Sequence, residues 1–189
     1  VADADDPAAT AGLRVSADGW LRFGPHRLAC ALGRAGVAVA KREGDGATPA
    51  GTWPLRRVFY RPDRLDGPPA VGRSGLDVGP ITPVLGWCDD PLHPDYNRLI
   101  VRPHPASHEV LWRDDALYDV VVVLGHNDSP PRPGRGSAIF LHCALPEAGA
   151  RHGLRPTAGC VALPVADLLT VLAALPERPA LTVTAAPSP

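Results

Sequence analysis

The sequence predicts a mostly β domain of short strands joined by many turns and long loops, with one helix towards the C-terminal end. Three observations predict it. First, 19 Gly and 23 Pro among 189 residues are too many for a helical protein and mark frequent turns. Second, most apolar runs are short and are bounded by Gly, Pro or Asp. Third, only PVADLLTVLAAL spaces its leucines three to four apart, and it does so behind Pro164 at a helix start. The length fits one domain with a real core over residues 13–185, an acidic, Ala-rich disordered leader over 1–12 and a tail over 186–189.

Along that domain, LRVSADGWLRFGPHRLACALGRAGVAVAK reads as successive short strands with tight turns at Asp18-Gly19 and Gly33–Gly36. REGDGATPAG is a Gly/Pro loop, and TWPLRRVFY resumes strand character. Residues 61–105 are rich in Pro and Gly with little periodicity, and read as a long functional loop, a lid or a substrate wall. Val120–Leu124 is a continuous apolar run, the mark of a strand covered on both faces. GSAIFLHCAL is a second buried strand that ends near His142, and ALTVTA closes the domain as a strand.

The formal net charge is −1 and no basic stripe stands out, which argues against a nucleic-acid partner. No apolar run is long enough to span a membrane. The leader shows neither the basic start nor the apolar stretch of a signal peptide. Cys30, Cys88, Cys143 and Cys160 form no CxxC pair, and composition leaves the redox compartment open.

His142 at the end of a buried strand and Cys160 at the start of another form the constellation with chemical potential. A cysteine nucleophile needs a base to supply its thiolate, and histidine titrates near neutrality. Two adjacent strands would bring these side chains together. Gly159 removes a side chain from the approach to the sulfur, and turn N–H groups would receive an oxyanion. The competing reading is that Cys160 is a packed core thiol.

The segment IFLHCALPEAGARHGLRPTAGCVAL resembles the signature of the YkuD-type L,D-transpeptidase catalytic domain: a His, a loop, then Ser/Thr-x-Gly-Cys and a hydrophobic residue. Fourteen residues separate His142 from Thr157, which leads into Ala158, Gly159, Cys160 and Val161. KREGDGATPAGTWPL resembles the family's Gly-x-x-x-Thr-Pro-x-Gly segment through Gly44, Thr48, Pro49 and Gly51. GWCDDP, YNRLI, LYDVVVVLGHN and GSAIFLH resemble its compact ErfK/YbiS/YcfS/YnhG-like branch. The chain departs at Ala158, where the family often has His, and at Ala162, where it often has Arg or Asn. The resemblance implies a β-sandwich or barrel of mixed strands with the helix after Cys160. It implies a cysteine acyltransferase on peptidoglycan stem peptides, with no cofactor, no metal and action in the cell envelope. Cys160 is then nucleophile, His142 general base and acid, and Gly159 an oxyanion N–H donor. Thr157 orients His142 or caps the turn. L,D-carboxypeptidase action and a non-catalytic wall-binding module are the alternatives, and a monomer is the default state.

Tyr96, Asn97, His126 and Asn127 are candidate cleft residues that bind substrate, with turn and loop hydrogen bonding as the other reading. Strand alternation turns Cys143 away from His142 and into the core. His152 is read as loop surface. Asp89-Asp90 reads as a solvated turn, although it could meet a cationic diamino acid. His93, His104 and His108, among prolines at irregular spacing, read as exposed loop residues. Trp20, Trp53, Trp87 and Trp112 read as packing. A zinc site from His142, Cys143, His152 and Cys160 is disfavoured, because adjacent strand residues point opposite ways.

Overall fold

A computed structural model describes residues 12–186 of the chain. The leader and the tail expected from the sequence lie outside the described residues, apart from Gly12 and Ala186 at their edges. The fold is mostly β, with one α-helix among the described residues.

β1 (Leu13–Ser16), β2 (Trp20–Phe23) and β3 (His26–Ala29) form an antiparallel meander, turned first at Asp18-Gly19 as expected. β4 (Val37–Ala38) and β5 (Thr48–Pro49) pair in parallel and clamp the two ends of the KREGDG loop. β6 (Gly51–Tyr60) is the long central strand. Its first half pairs with β14 (Ala180–Thr184) and its second half with β11 (Val120–Leu124). Pro54 stands at the change of partner, where a strand can spare its missing N–H.

The region 61–105 is not one long loop. It contains β7 (Val78–Pro80), which pairs with β6, and β8 (Leu85–Cys88) and β9 (Leu99–Val101). With β10 (His108–Val110) the last two make a small three-stranded sheet in the order β10-β8-β9. These strands of three or four residues are too short to show periodicity, and long-range pairing defines them instead.

β12 (Phe140–Cys143) follows β11, and β13 (Val161–Leu163) lies beside β12 in parallel. The main sheet runs β13-β12-β11-β6-β14-β1-β2-β3. Just beyond β3, Ala31 bridges back to Ala162 in β13 through two backbone hydrogen bonds of 2.8 and 2.9 Å. The sheet thus nearly closes on itself, which protects edges that would otherwise pair with other chains.

Side-chain alternation divides this sheet between two cores. Val120, Val122, Leu124, Leu141 and Cys143 enter the main core with the helix α1 (Val165–Ala173). Val121, Val123 and Phe140 enter a second core with Phe59, Ile81, Trp87, Leu111, Tyr118 and Cys160. The expectation that Val120–Leu124 is covered on both faces is met in this way. α1 starts after Pro164 and buries Leu168, Val171 and Leu172, the spacing of one helix face. It packs in the main core against Leu141, Val161 and Leu163, on the face of the sheet opposite the second core.

The candidate active site between parallel strands β12 and β13

The register of β12 and β13 pairs Leu141 with Val161 and His142 with Ala162. Cys160 therefore sits one step before β13, level with Phe140. Phe140, His142 and Cys160 share one side of the sheet, while Cys143 is 2% exposed in the main core behind it. The two candidate catalytic side chains both line a cleft of about 340 Å³.

The turn that carries Cys160 is held from three directions. Thr157 Oγ1 donates to the Cys160 carbonyl (2.8 Å) and accepts from Gly159 N (3.1 Å). Thr48 Oγ1 donates to the same carbonyl (3.2 Å) and accepts from Gly33 N (2.8 Å). Gly159 has φ +145°, and a Cβ there would meet the Ala47 carbonyl at 2.9 Å. The 44–51 loop, the turn after β3 and the cysteine turn are thus packed backbone to backbone. Thr157 organises the turn and makes no hydrogen bond to His142 among the described residues. The oxyanion role expected for Gly159 meets an obstacle, because its N–H is already given to Thr157.

Cys160 Sγ donates to the Ala138 carbonyl (3.2 Å) and accepts from Phe140 N (3.4 Å). No direct hydrogen bond joins it to His142 among the described residues. Burial pushes the thiol up to about 12; the Glu109 carboxylate adds to the rise, and Phe140 N–H and Lys41 oppose it. His142 Nδ1 lies 2.8 Å from the Cys143 carbonyl, so in the neutral ring it is the protonated nitrogen and Nε2 holds the lone pair. Burial pulls this imidazole down to about 4, against the pull of the Cys143 and Leu117 carbonyls. At neutral pH the pair rests as thiol and neutral imidazole.

Tyr118 stacks edge-on to His142 with ring centroids 5.3 Å apart, and its hydroxyl donates to Glu109. Burial raises both the Tyr118 phenol and the Glu109 carboxyl. Glu109, Tyr118, Lys41, Glu43, Arg113 and Arg155 all line the cleft, and none was singled out from the sequence. They come from segments far apart in the sequence that no local pattern joins. Only the Gly-Thr-Pro pattern at 44–51 hinted that its loop belongs to the site.

The four candidate substrate-binding residues do not line this cleft. Asn97 is buried with φ +56° and spends its amide on structure. Its Nδ2 donates to the carbonyls of His126 (3.0 Å) and Asn127 (2.8 Å), and its Oδ1 accepts from Trp87 Nε1 (2.9 Å) and Ala138 N (3.1 Å). Tyr96 is buried and its hydroxyl donates to Glu43, so it supports a lining residue from behind. His126 packs edge-on to Trp53 and its Nε2 meets the Arg135 carbonyl at 2.9 Å. Asn127 bonds within its own loop to Arg132 and Gly136. Asn97, His126 and Asn127 thus hold the loop 125–138 in its place, while Tyr96 holds Glu43. Asp89, read as a solvated turn, does line the cleft, with one carboxylate oxygen buried and without a hydrogen bond.

His152 leans on Trp20 and meets the Asp18 carbonyl at 3.0 Å, at the protein surface. The four-residue zinc set does not assemble, since Cys143 faces the other core. All four cysteines are free and buried.

No curated protein and no solved structure matches the chain significantly. The family model for the L,D-transpeptidase catalytic domain matches residues 13–183, nearly the whole length. With that match and a mostly β fold that sets His142 and Cys160 into one cleft, the chain belongs to the YkuD family of L,D-transpeptidase catalytic domains.

Proposed function

We propose that the chain is a cysteine L,D-transpeptidase acting on peptidoglycan stem peptides, as the family match and its envelope substrate imply. The observation that carries this reading is the placement of His142 on β12 and of Cys160 just before the paired strand β13, both facing one cleft. Cys160 Sγ attacks the carbonyl between the third, L-centred diamino acid and the terminal D-alanine. Because the resting pair is thiol and imidazole, proton transfer to His142 Nε2 accompanies the attack rather than preceding it. The Nδ1–H bond to the Cys143 carbonyl steadies the imidazolium that forms. With Gly159 N–H held by Thr157, the Cys160 N–H is the first candidate donor to the oxyanion. Collapse breaks the C–N bond, His142 protonates the departing amine, and D-alanine leaves a thioester on Cys160. An amine from a neighbouring stem then attacks the thioester, His142 takes its proton, and a 3→3 cross-link forms. Water in place of the amine gives L,D-carboxypeptidase action.

The test is intact-protein mass spectrometry after incubation with a carbapenem, followed by stem-peptide assays. Wild type should take up one adduct, Cys160→Ala none, and His142→Gln should acylate at least about 100-fold more slowly. An unmodified wild-type protein in reducing buffer would overturn the enzymatic reading in favour of a wall-binding module. Product analysis with and without an acceptor stem separates transfer from hydrolysis.

A further inference from the structure

Three residues read from the sequence as exposed loop side chains converge in space. His93 and Asp95 lie in the turn after β8, and His104 lies in the connection from β9 to β10. Their candidate ligand atoms all lie within 4.8 Å of one another. Asp95 Oδ2 stands between the two rings, 3.6 Å from His93 Nδ1 and 3.2 Å from His104 Nε2. Ligands about 2.1 Å from a tetrahedral zinc ion are about 3.4 Å from each other, so these separations are already near those of a bound set. The His93 and His104 rings meet edge-on with centroids 4.9 Å apart. The group is open enough for an ion to reach it: the side chains of His93, His104 and Asp95 are 28%, 13% and 48% exposed.

We propose that His93, Asp95 and His104 form a site for a divalent transition-metal ion of the zinc class, with the remaining position taken by water. Two imidazoles and one carboxylate are a borderline donor set that suits zinc better than magnesium or calcium. His108 stays outside the site. Its Nδ1 meets the Ala106 carbonyl at 2.8 Å and its Nε2 accepts from Arg102 Nε at 3.2 Å, so both nitrogens are taken. Two bonds are given up when the ion binds. The Asp95 N–H bond to His93 Nδ1 is 3.2 Å and the Ala106 N–H bond to His104 Nδ1 is 3.3 Å, both long and weak. Zinc on His104 Nε2 moves the ring proton to Nδ1, which removes the second of these.

The site fastens one loop to the other. The first loop begins at Asp89 and contains Tyr96, which supports Glu43; the second leads into β10, which carries Glu109. Asp89, Glu43 and Glu109 all line the cleft. The ion therefore acts on the cleft wall at a distance from Cys160, as a structural clamp.

Equilibrium dialysis of the purified chain with equimolar Zn²⁺, read by metal analysis, tests this. Co²⁺ serves as a parallel optical probe. Wild type and Cys160→Ala should each retain one Zn²⁺, and their Co²⁺ spectra should lack a thiolate charge-transfer band. Losing an outer-sphere partner of a metal site costs about 10- to 100-fold in affinity, and losing two ligands in His93→Ala/His104→Ala should exceed that. Asp95→Asn preserves shape and should weaken binding while leaving the thermal unfolding of the metal-free protein unchanged. Zn²⁺ should raise the Tm of wild type and not of the double variant. Absence of binding in wild type, or binding that disappears in Cys160→Ala and persists in the double variant, would overturn the proposal. Carbapenem acylation of the metal-free protein is a separate readout, so the fate of this site and of the transpeptidase reading are told apart.

Discussion

Gly159 shows how one residue fixes the position of its neighbour. Its φ of +145° is a region that side-chain-bearing residues rarely adopt, and the Ala47 carbonyl closes the space where a Cβ would go. The sulfur of Cys160 is aimed by this backbone, by Thr157 and by Thr48 together. Gly159→Ala should destabilise the fold by about 2 kcal/mol through backbone strain. It should also slow acylation of Cys160 by displacing the turn. Thermal unfolding and the rate of adduct formation measure the two effects, and wild-type values for both would show that the turn is not closed by Ala47. The motif glycine was legible in the sequence, but the reason for it was not, because Ala47 is over a hundred positions away along the chain.

The loop 125–138 depends on side chains delivered by other elements. Asn97 ties it to β8 through Trp87 and to the Ala138 N–H, and the neighbouring Ala138 carbonyl receives the Cys160 thiol. Asn97→Ala would leave several buried donors and acceptors without partners, at about 1–3 kcal/mol for such a group. Equilibrium urea unfolding should show a loss of about 3 kcal/mol or more with an unchanged slope. A loss below about 0.5 kcal/mol would mean that water replaces the amide at this position. Asn97, Tyr96, His126 and Asn127 drew attention in the sequence as polar residues at loop positions. In the structure they lie outside the cleft of Cys160, and their polar groups are spent on loop backbone and on Glu43, because a polar side chain buried beneath a loop satisfies backbone groups first.

Across the whole molecule, two cores and a nearly closed sheet bury His142, which the proposed mechanism uses in neutral form. Its folded value of about 4 lies below the ordinary 6.5. The folded state therefore resists protonation that the unfolded chain accepts, and stability falls as pH drops from about 6.5 through about 4. That single group contributes a loss of about 3 kcal/mol across this window. His142→Gln should flatten the fall between pH 7 and pH 4.5 in urea titrations. A slope identical to wild type would place the acid sensitivity elsewhere. Glu109, raised by burial, acts in the opposite sense, since its protonated form is favoured in the fold. The sequence by itself determined the β class, the doubly covered strand Val120–Leu124, the helix after Pro164, the inward turn of Cys143 and the pair His142 and Cys160. Each of these follows from local periodicity, turn chemistry or a motif within one short segment. Only the tertiary structure decided which residues line the cleft, which N–H group Thr157 occupies, and that His93, Asp95 and His104 meet. Those depend on contacts between segments distant along the chain, and hydrophobic patterning carries no record of which distant polar groups will face one another.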